Sequence, residues 1–468
     1  MDALDIARWQ FGIVTVYHFF FVPVTIGLVF LVAILETAWI RTDNPKYLRL
    51  TKFFGKLFLI NFAMGIVTGI VQEFQFGMNW SAYSRFVGDI FGAPLAIEGL
   101  LAFFLESTFL GLWMFGWDRL PRKIHALCIW IVGFGTLLSA FFILAANSFM
   151  QHPVGYVMNA SKGRAEMTDF GAVLTNKVVL ATFPHQIFGC FMVGGAFMAG
   201  VSLWLLLRRE PTDLDSQSAF RTAFKLGAVT LLVAGLGTII SGDYQGKVMT
   251  EVQPMKMAAA EGLYKDSQPA PFSLLTIGKL DGSEEVFSIK VPKLLSYLGT
   301  GHLDGKVRGI DSLQSEYEKT YGPGDYSPNI PISYWTFRLM ITAGGVAMAA
   351  AAWMLWATRK GRTPQSKWLL RSAFVLPFLP LVANSFGWIF TEMGRQPWAV
   401  FGLMSTSDGV SPGTTAGEVL TSLTVFTILY AVLAVIEMRL MLTYIKAGLP
   451  EIEAETDDTP DRPLVFAY

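Results

Sequence analysis

The chain has 468 residues with 36 basic and 36 acidic side chains, so its formal net charge is zero. Hydrophobic residues make up 53% of it and charged residues 15%, whereas a soluble domain carries about a quarter charged residues. This composition excludes an ordinary soluble domain and gives no indication of a nucleic-acid partner. Two cysteines, Cys128 and Cys190, exclude a disulfide scaffold and Cys-ligated iron–sulfur clusters, and the lack of a C-x-x-C-H motif excludes covalently attached haem.

Apolar windows of about 20 residues, the length that spans a bilayer, recur along the whole chain. They lie near residues 13–38, 53–72, 94–116, 124–149, 178–207, 222–241, 332–357, 368–392 and 417–443. The sequence therefore predicts an all-α polytopic membrane protein with about nine transmembrane helices. Lys and Arg concentrate in the first, third, fifth and seventh connections, so the positive-inside rule predicts an N-terminus outside and a C-terminus in the cytoplasm.

The predicted organisation has four parts. Residues 1–241 form helices 1–6, residues 242–330 an outer loop, residues 331–443 helices 7–9, and residues 444–468 an acidic cytoplasmic tail. The loop is polar and far longer than a usual helix connection, which is typical of a functional or a disordered segment. Its stretch 253–261 predicts a short helix entered at Pro254, either a functional helix or a solvated surface helix.

The eighth span ends in Glu392, followed by the Gly394-Arg-Gln-Pro-Trp398 break. An ionisable side chain at the centre of a membrane helix costs about 3 kcal/mol, and such residues mark functional sites or pair with another helix. Glu392 is therefore a candidate site residue.

His18 and His185 lie inside spans among aromatic residues, which suit a flat macrocycle but also suit plain packing. Met340 on its own is typical of a side chain that fills a gap. With the N-terminus outside, these three residues and Glu392 all fall in the outer half of the bilayer.

Two carboxylates, Glu98 and Glu106, lie on the third span. Glu98 is near its outer end, and Glu106 is about 12 Å deeper on a neighbouring face. Carboxylate chains of this kind occur in pumps and transporters, so a proton relay is favoured over a structural pair.

Several motifs together give the chain a specific resemblance. They are Gly394–Trp398, Phe337–Met340, Pro184–His185, the Lys256 to Glu261 segment and Pro94–Glu98. With these motifs the chain resembles subunit I of the cytochrome bd quinol oxidases over essentially its whole length. That family folds as nine spans with an outer quinol-binding loop, and this loop lacks the long insertion that some members carry.

The resemblance implies a set of haem ligands. His185 and Met340 would be the axial ligands of a low-spin haem b. His18 and Glu392 would be the protein ligands of the two high-spin haems, one haem b and one haem d. Which of them holds haem d stays open, with His18 preferred.

The resemblance also implies roles beside the haems. Lys256 and Glu261 would bind quinol and accept its protons. Arg338 and Arg395 could pair with haem propionates through their planar forks. Trp388 would lie against a macrocycle.

By the same resemblance, Glu98, Glu106 and Ser139 would serve the oxygen site and its proton supply. The chain would then be the haem-containing subunit of a terminal quinol oxidase in the bacterial cytoplasmic membrane. It would oxidise menaquinol or ubiquinol at the outer face and reduce O2 to water with cytoplasmic protons, contributing to the proton motive force without pumping. A homologous second membrane subunit, and in some members single-span small subunits, would be its partners.

A secondary transporter is the alternative, because transporters also carry intramembrane carboxylates and broken helices. Transporters usually show an internal repeat around a midplane site, and no such repeat is visible here. Haem–copper and cytochrome bc-type enzymes would need more intramembrane histidines, in paired arrangements.

Overall fold

The computed structural model describes residues 2–208, 214–279, 282 and 284–451. Its helices are α1 (Ala3–Thr42), α2 (Pro45–Met78), α3 (Ser81–Ile97), α4 (Phe104–Phe115), α5 (Arg122–Gln151), α6 (Phe170–Leu174), α7 (Lys177–Arg208), α8 (Leu214–Val252), α9 (Pro254–Glu261), α10 (Leu294–Thr300), α11 (Ile310–Tyr321), α12 (Ile330–Ala357), α13 (Lys367–Val375), α14 (Phe378–Met393) and α15 (Ala416–Ala447). Antiparallel hairpins in the connections are β1 (Tyr156–Asn159) with β2 (Arg164–Met167), β3 (Phe272–Gly278) with β4 (Glu285–Val291), and β5 (Trp398–Val400) with β6 (Met404–Ser405).

Within these residues nine helical stretches are long and apolar enough to cross a membrane, and each corresponds to one predicted span. The all-α class and the number of spans are therefore confirmed. The orientation across the membrane stays a prediction.

Local sequence sets several helix boundaries. Asn44 accepts a hydrogen bond from the Lys46 amide (3.0 Å), and Pro45 occupies the first helical position, where its missing N–H costs nothing. Thr415 and Glu418 form a reciprocal capping box at the start of α15. Helices α2 and α15 thus both begin at capped N-termini.

The third span is not one regular helix. Between α3 and α4 the residues Glu98–Phe103 form a π-helical turn. Such turns are rare and are frequent at functional sites. Because Glu98 opens this turn, its angular relation to Glu106 differs from that in a straight α-helix.

Helices α1 and α7 cross with their backbones in close approach. A Cβ at Gly27 would lie 2.2 Å from the Cys190 carbonyl oxygen, so only glycine fits at this crossing. Lipid tails provide no hydrophobic drive between helices, and small residues that let helices approach closely provide the packing instead. The buried core around this crossing includes Leu28, Val193 and Leu231.

Helix α8 continues to Val252, past residue 242, where the predicted outer loop begins. The polar residues of its last turns form ion pairs instead of ending the helix. Lys247 pairs with Asp243 one turn earlier, and Glu251 pairs with Lys177 of α7 at 2.5 Å. The helix stops only before Pro254, the start of α9.

The loop is folded through its second half as well. Its helix α9 begins at Pro254, as the sequence predicts, and ends at Gly262 with a positive φ of 59°. Around α9 pack two small apolar clusters, one with Leu313 of α11 and one with Leu295 of α10. At the other end of the chain α15 runs to Ala447, and residues 452–468 of the predicted acidic tail lie outside the described residues.

Candidate functional site

The eighth span ends in a polar centre around Glu392. Its Oε1 accepts a hydrogen bond from Asn147 Nδ2 of α5 (3.1 Å), and its Oε2 pairs with Arg395. Buried Arg395 also donates from Nη1 to the Ala399 carbonyl (2.8 Å), while its Nε has no hydrogen-bond partner within the described residues. The carboxylate is therefore paired with a cation from its own motif, as intramembrane charges generally are.

Lys256 of α9 lies against this centre. Its Nζ donates to Gln151 Oε1 at 2.5 Å, and a Cβ at Gly394 would lie 2.7 Å from Lys256 Cγ. Burial, aided by the positive charge of Arg395 and opposed by Glu392, lowers the pKa of Lys256 to about 7. The amine can therefore gain or lose a proton near neutral pH.

At the other end of α9, Glu261 is held by Arg338 of α12. Arg338 Nη2 donates to Glu261 Oε2 at 2.9 Å, and the Ser273 amide donates to the same oxygen at 3.1 Å. Arg338 also donates to the carbonyls of Ser273 (2.9 Å) and Ala260 (3.2 Å). Burial raises the pKa of Glu261 to about 7, and Arg338 acts in the opposite direction.

The two predicted quinol residues do not converge on one point. Lys256 and Glu261 are five positions apart, which places them about 140° apart around a helix. Lys256 faces the end of α14, and Glu261 faces α12. Each belongs to a different polar cluster, although both lie on α9.

Two cavities flank this region. One of about 10 Å³, room for about one water, lies between Lys256, Arg395, Tyr317 and Trp398. The other, of about 440 Å³, lies among the loop-side ends of α7, α8 and α10, and its lining includes Lys247. Neither Lys256 nor Glu261 lines the larger cavity.

His18 of α1 is oriented by α2. Its Nδ1 lies 2.9 Å from Thr68 Oγ1, and that hydroxyl donates to the Met64 carbonyl (2.9 Å). Because the hydroxyl proton is used there, His18 Nδ1 is the donor and Nε2 keeps its lone pair. A Cβ at Gly69 would lie 3.2 Å from the His18 ring, so the imidazole lies close against glycine.

His185 of α7 is oriented in the same way by α8. Its Nδ1 lies 3.1 Å from the Thr238 carbonyl oxygen, which can only accept, so Nε2 again keeps its lone pair. A Cβ at Gly242 would lie 3.1 Å from the ring. Met340 of α12 faces α14, where a Cβ at Gly387 would lie 2.8 Å from its sulfur.

The predicted proton-relay residues meet at α5. Ser139 Oγ donates to Glu98 Oε1 at 2.8 Å, which brings two of the three together. Glu106 is buried, with Oε1 unpaired within the described residues, and a Cβ at Gly135 would lie 2.7 Å from its Cγ. Gly135 and Ser139 are one helical turn apart, so both carboxyl groups lie along one stripe of α5. Glu73 of α2 is a third carboxyl within electrostatic range of Glu98.

Trp388 lies one turn before Glu392 and joins α14 to α1. Its indole stacks on Phe19, the neighbour of His18, with ring centroids 4.9 Å apart and planes 18° apart. The structure therefore places Trp388 beside His18 as well as on the helix of Glu392.

Comparisons with known proteins agree across the whole chain. Residues 6–449 match the family described as cytochrome bd terminal oxidase subunit I. The chain belongs to this family. It is 51% identical over 465 residues to cytochrome bd ubiquinol oxidase subunit 1 of Bacillus subtilis, covering 99% of this chain and 97% of that protein. It is 37% identical over 512 residues to cytochrome bd-II ubiquinol oxidase subunit 1 of Escherichia coli, covering 97% and 98%.

A solved structure agrees with these relatives. The bd oxidase of Geobacillus thermodenitrificans matches with a TM-score of 0.85 and 27% identity, covering 95% of this chain and 99% of that one. The expected family, the terminal-oxidase activity and the multi-pass location in a bacterial cytoplasmic membrane are thereby confirmed. The alternative of a secondary transporter is wrong.

Membership of the cytochrome bd family implies haem, and the residues present fit it. A histidine that binds a metal through one nitrogen typically donates a hydrogen bond from the other. His18 and His185 both use Nδ1 in this way, and both have a glycine where a side chain would crowd the ring. Within the described residues no cluster of three or more His, Cys, Asp or Glu could hold a bare metal ion.

The expected propionate contacts stay predictions. Arg338 already makes three hydrogen bonds to the loop, so a propionate would have to compete with them. Arg395 is paired with Glu392, and only its Nε is unpaired within the described residues. The sequence alone could not reveal these competing partners.

Sequence reasoning missed a hydrogen-bonded chain on α5. Lys256 donates to Gln151, Gln151 Nε2 donates to Asn147 Oδ1 (3.5 Å), and Asn147 donates to Glu392. The spacing of Asn147 and Gln151, four residues apart at the end of a span, was the available indication. This chain links the loop lysine to the carboxylate at the end of α14.

A second missed cluster involves His125. Its Nδ1 lies 2.6 Å from Glu36 Oε1, its Nε2 donates to the Trp113 carbonyl (2.7 Å), and Trp113 Nε1 donates to Glu36 Oε2 (2.7 Å). All three side chains are buried. His125 thus joins α1, α4 and α5 by polar packing.

Proposed function

We propose that this subunit oxidises quinol at the α9 loop and delivers the electrons to haems within its helices. His185 and Met340 would hold a low-spin haem b, and His18 and Glu392 would hold the high-spin haem b and haem d, with haem d preferred on His18. The observation that carries the proposal is the shared arrangement of the two histidines. Each has Nδ1 in a hydrogen bond and the lone pair of Nε2 available to bind iron. When bound, the haems supply one-electron transfer and the place where O2 is reduced.

At the loop, the chain's own groups would take the protons of quinol. Glu261 accepts a proton when ionised and Lys256 when neutral, and both pKa values lie at about 7. Arg338 bridges Glu261 to the helix that carries Met340, two residues further on. The 10 Å³ cavity beside Lys256 is too small for a quinol ring, so binding there requires the adjoining aromatic side chains to move.

To supply protons for O2 reduction, Glu106, Glu98 and Ser139 would move them along α5. Ser139 holds Glu98 in place, and Glu106 lies against the same helix one turn away. With the N-terminus outside, protons for water would come from the cytoplasm while quinol protons leave outside, which conserves energy without pumping.

Subunit I of a bd oxidase implies a second subunit and a quinol substrate. We infer a homologous second membrane subunit, with single-span small subunits in some assemblies. The Bacillus subtilis and Escherichia coli subunits named above are ubiquinol oxidases by name, and the substrate that we propose is ubiquinol or menaquinol.

A pyridine haemochrome spectrum of the purified complex tests the proposal directly. We expect two haem b for each haem d, with the chlorin band of haem d present. A complex that contains haem b alone would contradict the assignment of haem d to His18 or Glu392.

Alanine at Lys256 or Glu261 is expected to impair quinol oxidation selectively. A hydrogen bond to a charged group contributes about 1.5–3 kcal/mol, so kcat/KM for quinol should fall about tenfold or more. Steady-state rates with quinol and with an artificial one-electron donor, together with haem spectra, measure the effect.

Lys247→Ala is the matched control, because Lys247 lines the larger cavity and lies outside the proposed site. The haem bands and oxidation of the artificial donor should survive in the Lys256 and Glu261 variants. Equal loss with both donors would indicate misfolding or haem loss. A large effect at Lys247 with none at Lys256 would move the quinol site to the larger cavity.

The rate of quinol oxidation is expected to rise with pH and level off above about 7. Glu261 gains acceptor capacity as it ionises, and Lys256 gains it as it loses its proton, so both act in the same direction. Below pH 7 the logarithm of kcat/KM should therefore rise with a slope approaching about two. In Glu261→Gln the slope should drop to about one. A profile that falls as pH rises would rule out both groups as acceptors.

A further inference from the structure

The β3–β4 hairpin has one polar and one apolar face. Ile277 pairs across the strands with Phe287, and Leu275 pairs with Ile289, so these four side chains share a face. Thr276 pairs with Ser288, and Ser273 with Lys290, on the opposite face. A register shift between Ser273 and Leu275 keeps both polar pairs on that side.

The polarity of this hairpin is opposite to that of a hairpin in water. Ser273 and Thr276 are 1% and 5% exposed, whereas Ile277, Phe287 and Ile289 are 50%, 52% and 48% exposed. A sheet with one solvated face normally turns its apolar side to the core and its polar side to water. Here the polar face is turned towards Glu261 and Tyr334, and the apolar face is turned outward.

The hairpin lies at the depth of a membrane helix. Ser273 Oγ lies 2.7 Å from Tyr334 Oη, and its carbonyl accepts from Arg338 Nε at 2.9 Å. Tyr334 and Arg338 lie four and eight positions after the first residue of α12, which is about 6 and 12 Å along the helix axis. Trp335 is 43% exposed on the same turn, the place where tryptophan marks a membrane interface.

The turn of the hairpin lies closer to the start of α12 than Ser273 does. A Cβ at Gly282 would lie 3.4 Å from Ile330, the first residue of α12. The exposed pair Lys279 and Glu284, 2.5 Å apart, flanks this turn. Charged groups thus lie level with the start of the helix, and the apolar face extends from there along the first turns of α12.

We propose that the apolar face of β3–β4 is immersed in the lipid leaflet on the loop's side of the membrane. The hairpin is then a monotopic anchor continuous with the lipid-facing surface of α12, and its polar face holds Glu261 against Arg338. Depth beside a membrane helix, and an outward face with the polarity of a lipid-facing one, both select lipid as the occupant. This placement of the hairpin does not depend on quinol binding at the loop.

Variants with one added cysteine, labelled with the fluorophore NBD, test the proposal in the assembled oxidase. Ile277→Cys and Phe287→Cys place the label on the apolar face, and Lys319→Cys on exposed α11 is the control. Native Cys128 and Cys190 are buried, so labelled wild-type enzyme gives the blank. The labelled complexes are reconstituted into phosphatidylcholine vesicles with and without doxyl-labelled phosphatidylcholine.

At positions 277 and 287 we expect blue-shifted NBD emission. In vesicles that contain doxyl-labelled lipid, most of the emission intensity should be quenched. The label at position 319 should emit as in water and keep its intensity. Water-like emission at 277 and 287 overturns the proposal. Blue-shifted emission that doxyl lipid does not quench also overturns it, because the face is then covered by protein. Wild-type haem spectra in each variant show that it has folded.

Discussion

Met340→Leu is expected to convert the low-spin haem centre to a high-spin one and to lower its reduction potential. Leucine keeps the volume of the side chain but has no sulfur to donate, so a haem that His185 and Met340 would hold would lose the ligand that Met340 supplies. Quinol oxidation should fall by more than about 100-fold, the upper end of losses from changes outside the ligand shell. Reduced-minus-oxidised spectra and a redox titration measure the change.

Met354→Leu is the matched control, since Met354 is a fully buried methionine on the same helix α12. A volume-conserving Met-to-Leu swap in a core usually costs less than about 1.5 kcal/mol, so this variant should keep the wild-type spectrum. If Met340→Leu also keeps its low-spin alpha band and its midpoint potential, Met340 is not a ligand.

The spans could be predicted because hydropathy is a property of short windows. In a bilayer every backbone polar group needs a partner within the protein, so length and apolarity are close to sufficient for recognising a helix. Hydropathy does not show how far the helix of the sixth span extends, since α8 continues to Val252, beyond the apolar window 222–241. Asp243, Lys247 and Glu251 lower the hydropathy, but ion pairs within α8 and with α7 keep that stretch helical.

The site residues could be named from the sequence, but their partners could not. Ser139 and Glu98 are far apart in the chain and meet only because α3 and its π-helical turn pack on α5. Arg338 could be placed beside Met340 from the motif alone, whereas its hydrogen bonds to Glu261 and Ser273 depend on how the loop folds. Long-range pairings of this kind leave no periodic pattern in the sequence.

Lys256 and Glu261 lie on different sides of α9, so this helix takes part in two separate polar clusters. Glu261 contacts the helix of Met340 through Arg338, and Lys256 reaches Glu392 through Gln151 and Asn147. Hydrogen bonds thus link one short helix of the loop to α12, the helix of Met340, and to Glu392. Helix α9 is buried rather than solvated, which excludes the solvated surface helix that its sequence allowed.

Glu106→Gln is expected to leave the haem spectra and CO binding intact while O2 reduction falls steeply. Glutamine keeps the shape and hydrogen bonding of the side chain but cannot carry a proton. Positioned proton transfer contributes typically 10²–10⁴-fold, so steady-state oxidase turnover should fall by about 100-fold or more. Oxygen consumption across pH 6 to 9, roughly the span over which an acid–base group shows its titration, measures the loss.

Glu437→Gln is the control for this variant, because Glu437 is a membrane carboxyl on α15, outside the stripe of α5 that Glu98 and Glu106 face. It should retain near wild-type turnover. If Glu106→Gln also stays near wild type across the pH range, Glu106 is a structural carboxyl and protons take another route. If turnover and haem content fall together, the loss reflects assembly and the relay is not supported. A loss of turnover with full haem content supports Glu106 as a proton carrier, since glutamine has nearly the same shape but cannot ionise.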